Sequence, residues 1–120
     1  TITIQGKQYR WNTTYSNWIN TNAVDEIGCI HTVQGYDLNY CGVIIGEDLK
    51  YNNETCEIYA DKSKYFDQQG KSGVADDPEG LRMYLTNIYL TLLTRGVRGT
   101  YIYVCNDALR EYMKPFFTVV

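Results

Sequence analysis

The sequence is poor in several features that define whole classes of protein. It has two prolines and one histidine in 120 residues, and no apolar run approaching the ~20 residues a membrane helix needs. With ten glycines it lacks the excess of fibrous or low-complexity chains, and 44% hydrophobic content with 21% charged is too apolar for wholesale disorder. The start has neither the basic end nor the apolar stretch of a secretory signal, so a cytoplasmic location is expected. No C-x-x-C pair occurs among Cys29, Cys41, Cys56 and Cys105, which argues against a zinc ribbon or a disulfide framework. Reduced thiols in strands or core are expected. The chain opens Thr1-Ile2-Thr3-Ile4 without a methionine, and the expectation is a piece of a longer protein.

What is present is a length suited to one domain with a modest core. The net charge of −3 argues against a generic nucleic-acid-coating surface, but it is unevenly distributed. Residues Glu47 to Glu79 hold nine acidic and four basic side chains, leaving seven basic and five acidic elsewhere. The triplets Asn12-Thr13-Thr14 and Asn53-Glu54-Thr55 have the glycosylation pattern, which matters only in a secreted chain.

Ile2, Ile4, Tyr9 and Trp11 alternate around Gly6-Lys7 and predict a hairpin over Thr1–Trp11. Asn12 to Asp25, anchored by Tyr15 and Trp18, suits an ordered loop or a single helical turn; with the hairpin it makes 1–25 an extension. Ile27 to His31 and Cys41 to Gly46 are apolar runs that predict strands, with a turn or short helix between them. Residues 47–77 form a polar insertion whose one predicted strand is Glu57–Ala60 and whose tip is Gln68 to Gly73. Asp77 as N-cap, Pro78 in the first turn and Glu79 near the helix dipole mark the start of a helix to Arg95. Its apolar face is Leu81, Tyr84, Leu85, Ile88, Tyr89, Leu92 and Leu93, and Gly96 is expected as a left-handed C-terminal residue. Thr100–Cys105 is a further strand, and Asn106 caps a short helix that Pro115 stops. Alternating strands and helices predict a single α/β domain with a mainly parallel sheet, an N-terminal β-hairpin and the polar insertion.

Two places carry more polar chemistry than packing requires. His31 to Asp37 crowds polar groups at a strand end, and Thr94-Arg95 puts a guanidinium at the end of the long helix, where its ordinary role is to face the negative end of the helix dipole. The run Cys29-Ile30-His31-Thr32-Val33-Gln34-Gly35-Tyr36-Asp37-Leu38 with the strand Gly42–Ile45 resembles motif V of superfamily 1 helicases. Tyr89 to Gly96 followed by the strand Thr100–Cys105 resembles their motif VI. The wording of both looks most like a bacterial family of helicase-type P-loop ATP-binding proteins, some fused to a GIY-YIG nuclease domain. The resemblance covers about Asp25 to Tyr112.

That resemblance implies a RecA-like three-layer fragment, the C-terminal second domain of a helicase-like ATPase. It assigns Arg95 as an arginine finger and Gln34 as a phosphate or water contact, both catalytic. Gly35, Asp37 and Thr94 are implied to face the nucleotide, and His31 and Thr32 the nucleic-acid backbone. ATP and Mg²⁺ are the implied cofactors of the full-length protein, and the partners are an upstream P-loop domain and single-stranded or duplex nucleic acid. Asp37 replaces the family's usual glutamate and Cys29 its usual threonine. No G-x-x-x-x-G-K-[ST] loop occurs, since Gln69-Gly70-Lys71-Ser72 lacks the preceding glycine, so this stretch alone is not expected to hydrolyse ATP or hold a nucleotide. A non-catalytic interaction module derived from a helicase is the alternative.

Other chemistries find less support. His31 with the cysteines lacks zinc-ligand spacing, no cysteine–histidine pair is indicated, and no carboxylate cluster suggests a nuclease. Among the twelve tyrosines, Tyr84, Tyr89, Tyr101 and Tyr103 are expected inward, and Tyr36 and Tyr40 exposed.

Overall fold

A computed structural model describes residues 1–14, 24–33, 35–65, 73 and 76–120. The elements in chain order are β1 (Ile2–Ile4), β2 (Lys7–Trp11), β3 (Glu26–Ile27), α1 (Ile30–Val33), β4 (Leu38–Ile45), β5 (Leu49–Asn52), β6 (Glu57–Ala60), α2 (Pro78–Leu93), β7 (Gly96–Val104) and α3 (Asp107–Met113). Short 3-10 turns lie at Lys62–Lys64 and Lys114–Phe116. Two compact units are present, one of Thr1–Cys41 with Thr91–Thr100, the other of Gly42–Leu90 with Tyr101–Val120.

In the first unit the hairpin forms as the alternation predicts. Ile4 pairs with Lys7, so the connecting residues are Gln5 and Gly6, both with positive φ (50° and 78°), the geometry whose twist matches the flanking strands. β2 then pairs in parallel with β3, Arg10 opposite Glu26 and Trp11 opposite Ile27. Of the expected Ile27–His31 strand only Ile27 is extended, as the second residue of β3, because Cys29 O turns back to accept from the amides of Thr32 (3.1 Å) and Val33 (3.2 Å) and closes α1. The expected loop with Tyr15 and Trp18 lies outside the described residues.

β4 and β7 form a two-stranded sheet. In the first unit Leu38 N donates to Arg95 O, and in the second Cys105 N donates to Ile45 O, so start meets start and end meets end, and the strands run parallel. Parallel pairing is thus present, but only strand by strand. The described residues make a mixed α/β chain with several small sheets, not one mainly parallel sheet, because β1 with β2 and β5 with β6 pair antiparallel through local turns. β4 has eight residues and β7 nine. Gly96 is not left-handed as its helix-end position suggests: it begins β7, and a Cβ there would strike the carbonyl oxygen of Gly99 and lie 2.5 Å from Thr100 Oγ1. Close backbone approach, not φ, requires the glycine.

The second unit contains the core: Ile45, Leu49, Tyr65, Leu81, Leu85, Val104 and Leu109, with Tyr84, Ile88, Tyr89 and Ile102 packed against it. Leu81 and Leu85 face inward and Met83 and Leu90 outward, as a helix period demands. The acidic segment contributes Leu49 and Tyr65 to this core and pairs β5 with β6. Its charges are partly balanced internally: Lys50 Nζ lies 2.7 Å from Asp61 and Lys62 Nζ 2.8 Å from Asp76. The Gln68 to Ser72 tip lies outside the described residues. Asn106 accepts from Leu109 N at 3.0 Å and caps α3 as expected. Among the described residues no disulfide forms, and Cys56 is exposed in the β5–β6 turn at φ 57°, contrary to a buried thiol. Tyr101, expected inward, is exposed because it sits on the outward side of β7, whereas Tyr36 and Tyr40 are exposed as anticipated.

Candidate functional site

The residues singled out from the sequence lie in the first unit. Arg95 follows the last turn of α2, and Asp37 precedes β4. Because β4 and β7 pair from their first residues, the two meet: Arg95 Nη1 is 3.8 Å from Asp37 Oδ1. Asp37 is 75% exposed at its side chain and Arg95 25%. The guanidinium is otherwise oriented by the helix it leaves, Nε donating to Thr91 O at 3.2 Å and Nη2 to Thr94 Oγ1 at 3.4 Å. Thr94 Oγ1 donates to Thr91 O at 2.8 Å. Thr94 thus shapes the helix end beside Arg95.

Gly35 is left-handed (φ 87°), a conformation that non-glycine residues adopt only at a cost, and nothing lies within 4 Å of where its Cβ would be. Its backbone is therefore open to close approach by a ligand. Gln34 lies outside the described residues. His31 is exposed on α1. Thr32 is engaged inward, with its hydroxyl donating to Asn12 Oδ1 at 2.6 Å and accepting from Cys29 N at 3.0 Å. The structure therefore gathers Gly35, Asp37, Thr94 and Arg95 around the starts of β4 and β7.

Two polar clusters carry no sequence motif. Glu26 is buried, its Oε1 accepting from Thr14 N at 2.6 Å and its Oε2 from Thr14 Oγ1 at 2.8 Å. Burial pushes this carboxyl up, but hydrogen bonds from Thr14 and Thr13 outweigh it and hold the pKa at about 2. In the second unit, Tyr89 OH donates to Asp48 Oδ1 at 2.6 Å and accepts from Gly46 N at 3.1 Å. Burial raises Asp48 above the usual carboxylate range against the pull of the Tyr89 bond, and raises Tyr89 well above that of a phenol. Tyr89 is legible in the sequence as part of an apolar stripe and as the first residue of the motif VI resemblance, neither of which points to Asp48, and the Asn12 and Glu26 contacts depend on tertiary pairing. Among the described residues no group of three or more His, Cys, Asp or Glu could hold a metal ion. No helix among them is long and apolar enough to cross a membrane.

The described residues make a mixed α/β chain that brings a cation and a carboxylate to the starts of two paired strands, and comparison with known families places it among helicase-like domains. The family described as Schlafen group 3, DNA/RNA helicase domain, matches residues 1–106, and the chain belongs to that family. It is also 36% identical over 96 residues to "Uncharacterized protein YPL245W" of Saccharomyces cerevisiae. That alignment takes in 75% of this chain and 20% of the yeast protein, so the chain spans about a fifth of its relative's length. No solved structure matches.

Proposed function

We propose that this chain is the second, RecA-like half of a helicase-type ATPase, with Arg95 as its arginine finger. The observation that supports this reading is the meeting of Arg95 and Asp37 at the starts of two neighbouring parallel strands. These residues come from distant segments that the two motifs assign to one nucleotide. The donor set also suits a phosphate: Arg95 is partly exposed, and its contacts at 3.4 and 3.8 Å are loose enough for an anion to replace.

In this reading ATP with Mg²⁺ is held chiefly by an upstream P-loop domain and supplies the phosphoryl bond that is cleaved. Arg95 places positive charge where negative charge develops during transfer, and Thr94 with the Thr91 carbonyl fixes its direction. Asp37 accepts from the ribose, Gly35 allows the backbone to come close, and Gln34 orients water or phosphate. The His31–Thr32 turn faces the nucleic acid, and the whole protein couples hydrolysis to translocation on, or remodelling of, that strand.

A non-catalytic interaction module is favoured by one specific observation, the Nε bond to Thr91 O, which is what an ordinary helix-end cation makes. Steady-state ATP turnover of the full-length protein separates the two: wild-type turnover that collapses in Arg95→Ala supports the finger, unchanged turnover in Arg95→Ala removes the finger, and a wild type without turnover supports the module.

A further inference from the structure

The end of the hairpin strand β2 is bonded directly to the turn that carries His31. Thr32 has one hydroxyl proton and two acceptor positions. Two acceptors lie within reach of that proton, Asn12 Oδ1 at 2.6 Å and Cys29 O at 3.0 Å. Cys29 O already accepts from the amides of Thr32 and Val33, and it is the more distant. The proton therefore goes to Asn12. On the acceptor side the same oxygen takes Cys29 N at 3.0 Å and has Cys29 Sγ at 3.5 Å. The hydroxyl has no proton left for an outside acceptor while Asn12 holds it.

Asn12 is itself fixed. Its N–H donates to Ile27 O at 2.8 Å, extending the β2–β3 pairing by one residue, and its φ is 49°. The left-handed region favours asparagine and glycine over other residues. Backbone conformation and side-chain acceptor are thus both needed at this one position, which explains an asparagine there more fully than a chance glycosylation triplet does.

We infer that Asn12 is a positioning residue for the His31–Thr32 turn, its side-chain oxygen tying that turn to the end of the N-terminal hairpin. Thr32 then acts through the turn's geometry and not as a hydroxyl donor to a nucleic-acid phosphate. This consequence rests on the proposed helicase reading, whereas the tether does not.

The test uses variants that separate backbone from side chain. Asn12→Gly keeps the left-handed residue and removes the acceptor, Asn12→Asp keeps both, and Thr32→Val removes the hydroxyl at nearly constant shape. Amide hydrogen exchange of the 120-residue chain, without nucleotide or nucleic acid, is expected to speed up about five- to tenfold at Cys29, Thr32 and Val33 in Asn12→Gly and Thr32→Val. Asn12→Asp is expected to stay near wild type, and the amide of Leu38, bonded to Arg95 O in the first unit, together with that of buried Leu109 in the second, reports that each variant is folded. Asn12→Gly exchange indistinguishable from wild type at Cys29, Thr32 and Val33, with Leu38 and Leu109 protected, would overturn the tether. In the full-length protein, fluorescence anisotropy of a labelled single-stranded oligonucleotide then tests the consequence. Asn12→Gly and Thr32→Val are expected to weaken binding together and non-additively. Weakening by Thr32→Val alone, with Asn12→Gly neutral or tighter, would show a direct hydroxyl contact and overturn it. An oligonucleotide that does not bind the wild type contradicts the helicase reading and leaves the exchange result to decide the tether.

Discussion

Replacing Tyr89 by phenylalanine removes one oxygen that satisfies two other groups. At pH 7 the variant leaves Asp48 without the 2.6 Å donor and Gly46 N–H without its acceptor, both in partly buried surroundings. A hydrogen bond to a charged group contributes about 1.5–3 kcal/mol, and a buried polar group left unpaired costs about 1–3 kcal/mol. Partial solvent access puts each loss at the lower end, so the expected destabilisation is about 2–3 kcal/mol, or roughly 8–12 °C in melting temperature for a chain of this size. The cost depends on pH in a definite direction. Burial raises the Asp48 pKa above its ordinary value, and the Tyr89 bond is what pulls it down. Without that bond the folded pKa rises further, so on acidification the folded variant takes up its proton before the unfolded chain does. The stability deficit therefore shrinks from pH 7 toward pH 4, the direction in which Asp48 takes up its proton, and its floor is the orphaned Gly46 amide at about 1 kcal/mol. Urea denaturation followed by far-ultraviolet circular dichroism at both pH values measures this. A deficit below about 0.5 kcal/mol at pH 7, or one equal at both pH values, would show that the Tyr89 hydroxyl does not hold Asp48 and Gly46 in this way.

Further outcomes follow from other contacts. Glu26 is held at about 2 in the folded chain, so its contribution to the first unit is complete above the ordinary glutamate value near 4.5 and is lost as pH falls toward 2. Amide exchange at Thr14 should show that loss, and Glu26→Gln should abolish its pH dependence. Leu109→Ala removes a fully buried side chain and should lower stability by about 3 kcal/mol in urea denaturation, a cost under 1 kcal/mol contradicting the packing of α3. Gly96→Ala drives a methyl group into the Gly99 carbonyl and should loosen the start of β7, seen as faster exchange of the Leu38 amide that bonds to Arg95. An unchanged Leu38 amide would mean that the backbone relaxes there without cost.

The parts of this chain legible in the sequence are those governed by local rules. The hairpin followed from alternation, α2 from its apolar spacing and its Asp77-Pro78 start, and α3 from Asn106. The sequence also singled out Asp37 and Arg95, and the structure places them together. What local rules missed was set by tertiary contacts. Ile27 to His31 is apolar enough for a strand, but the Cys29 carbonyl and the Thr32 hydroxyl close its second half into a turn. The insertion is polar by composition, yet Leu49 and Tyr65 commit it to the core. Tyr89 fits a helix stripe, and nothing in that periodicity foretells that its hydroxyl would bridge Gly46 and Asp48. Asn12 shows the same limit, because an acceptor for Thr32 twenty residues away leaves no periodic trace.

Whether Arg95 completes a nucleotide site is read from ATP turnover of the full-length protein carrying Arg95→Ala or Arg95→Lys, each confirmed folded. A finger predicts that kcat falls by about three orders of magnitude or more in Arg95→Ala while KM changes far less, with Arg95→Lys recovering little because a single ammonium cannot reproduce the guanidinium fork. Wild-type turnover in Arg95→Ala would contradict the account and leave Arg95 as the cap of its own helix.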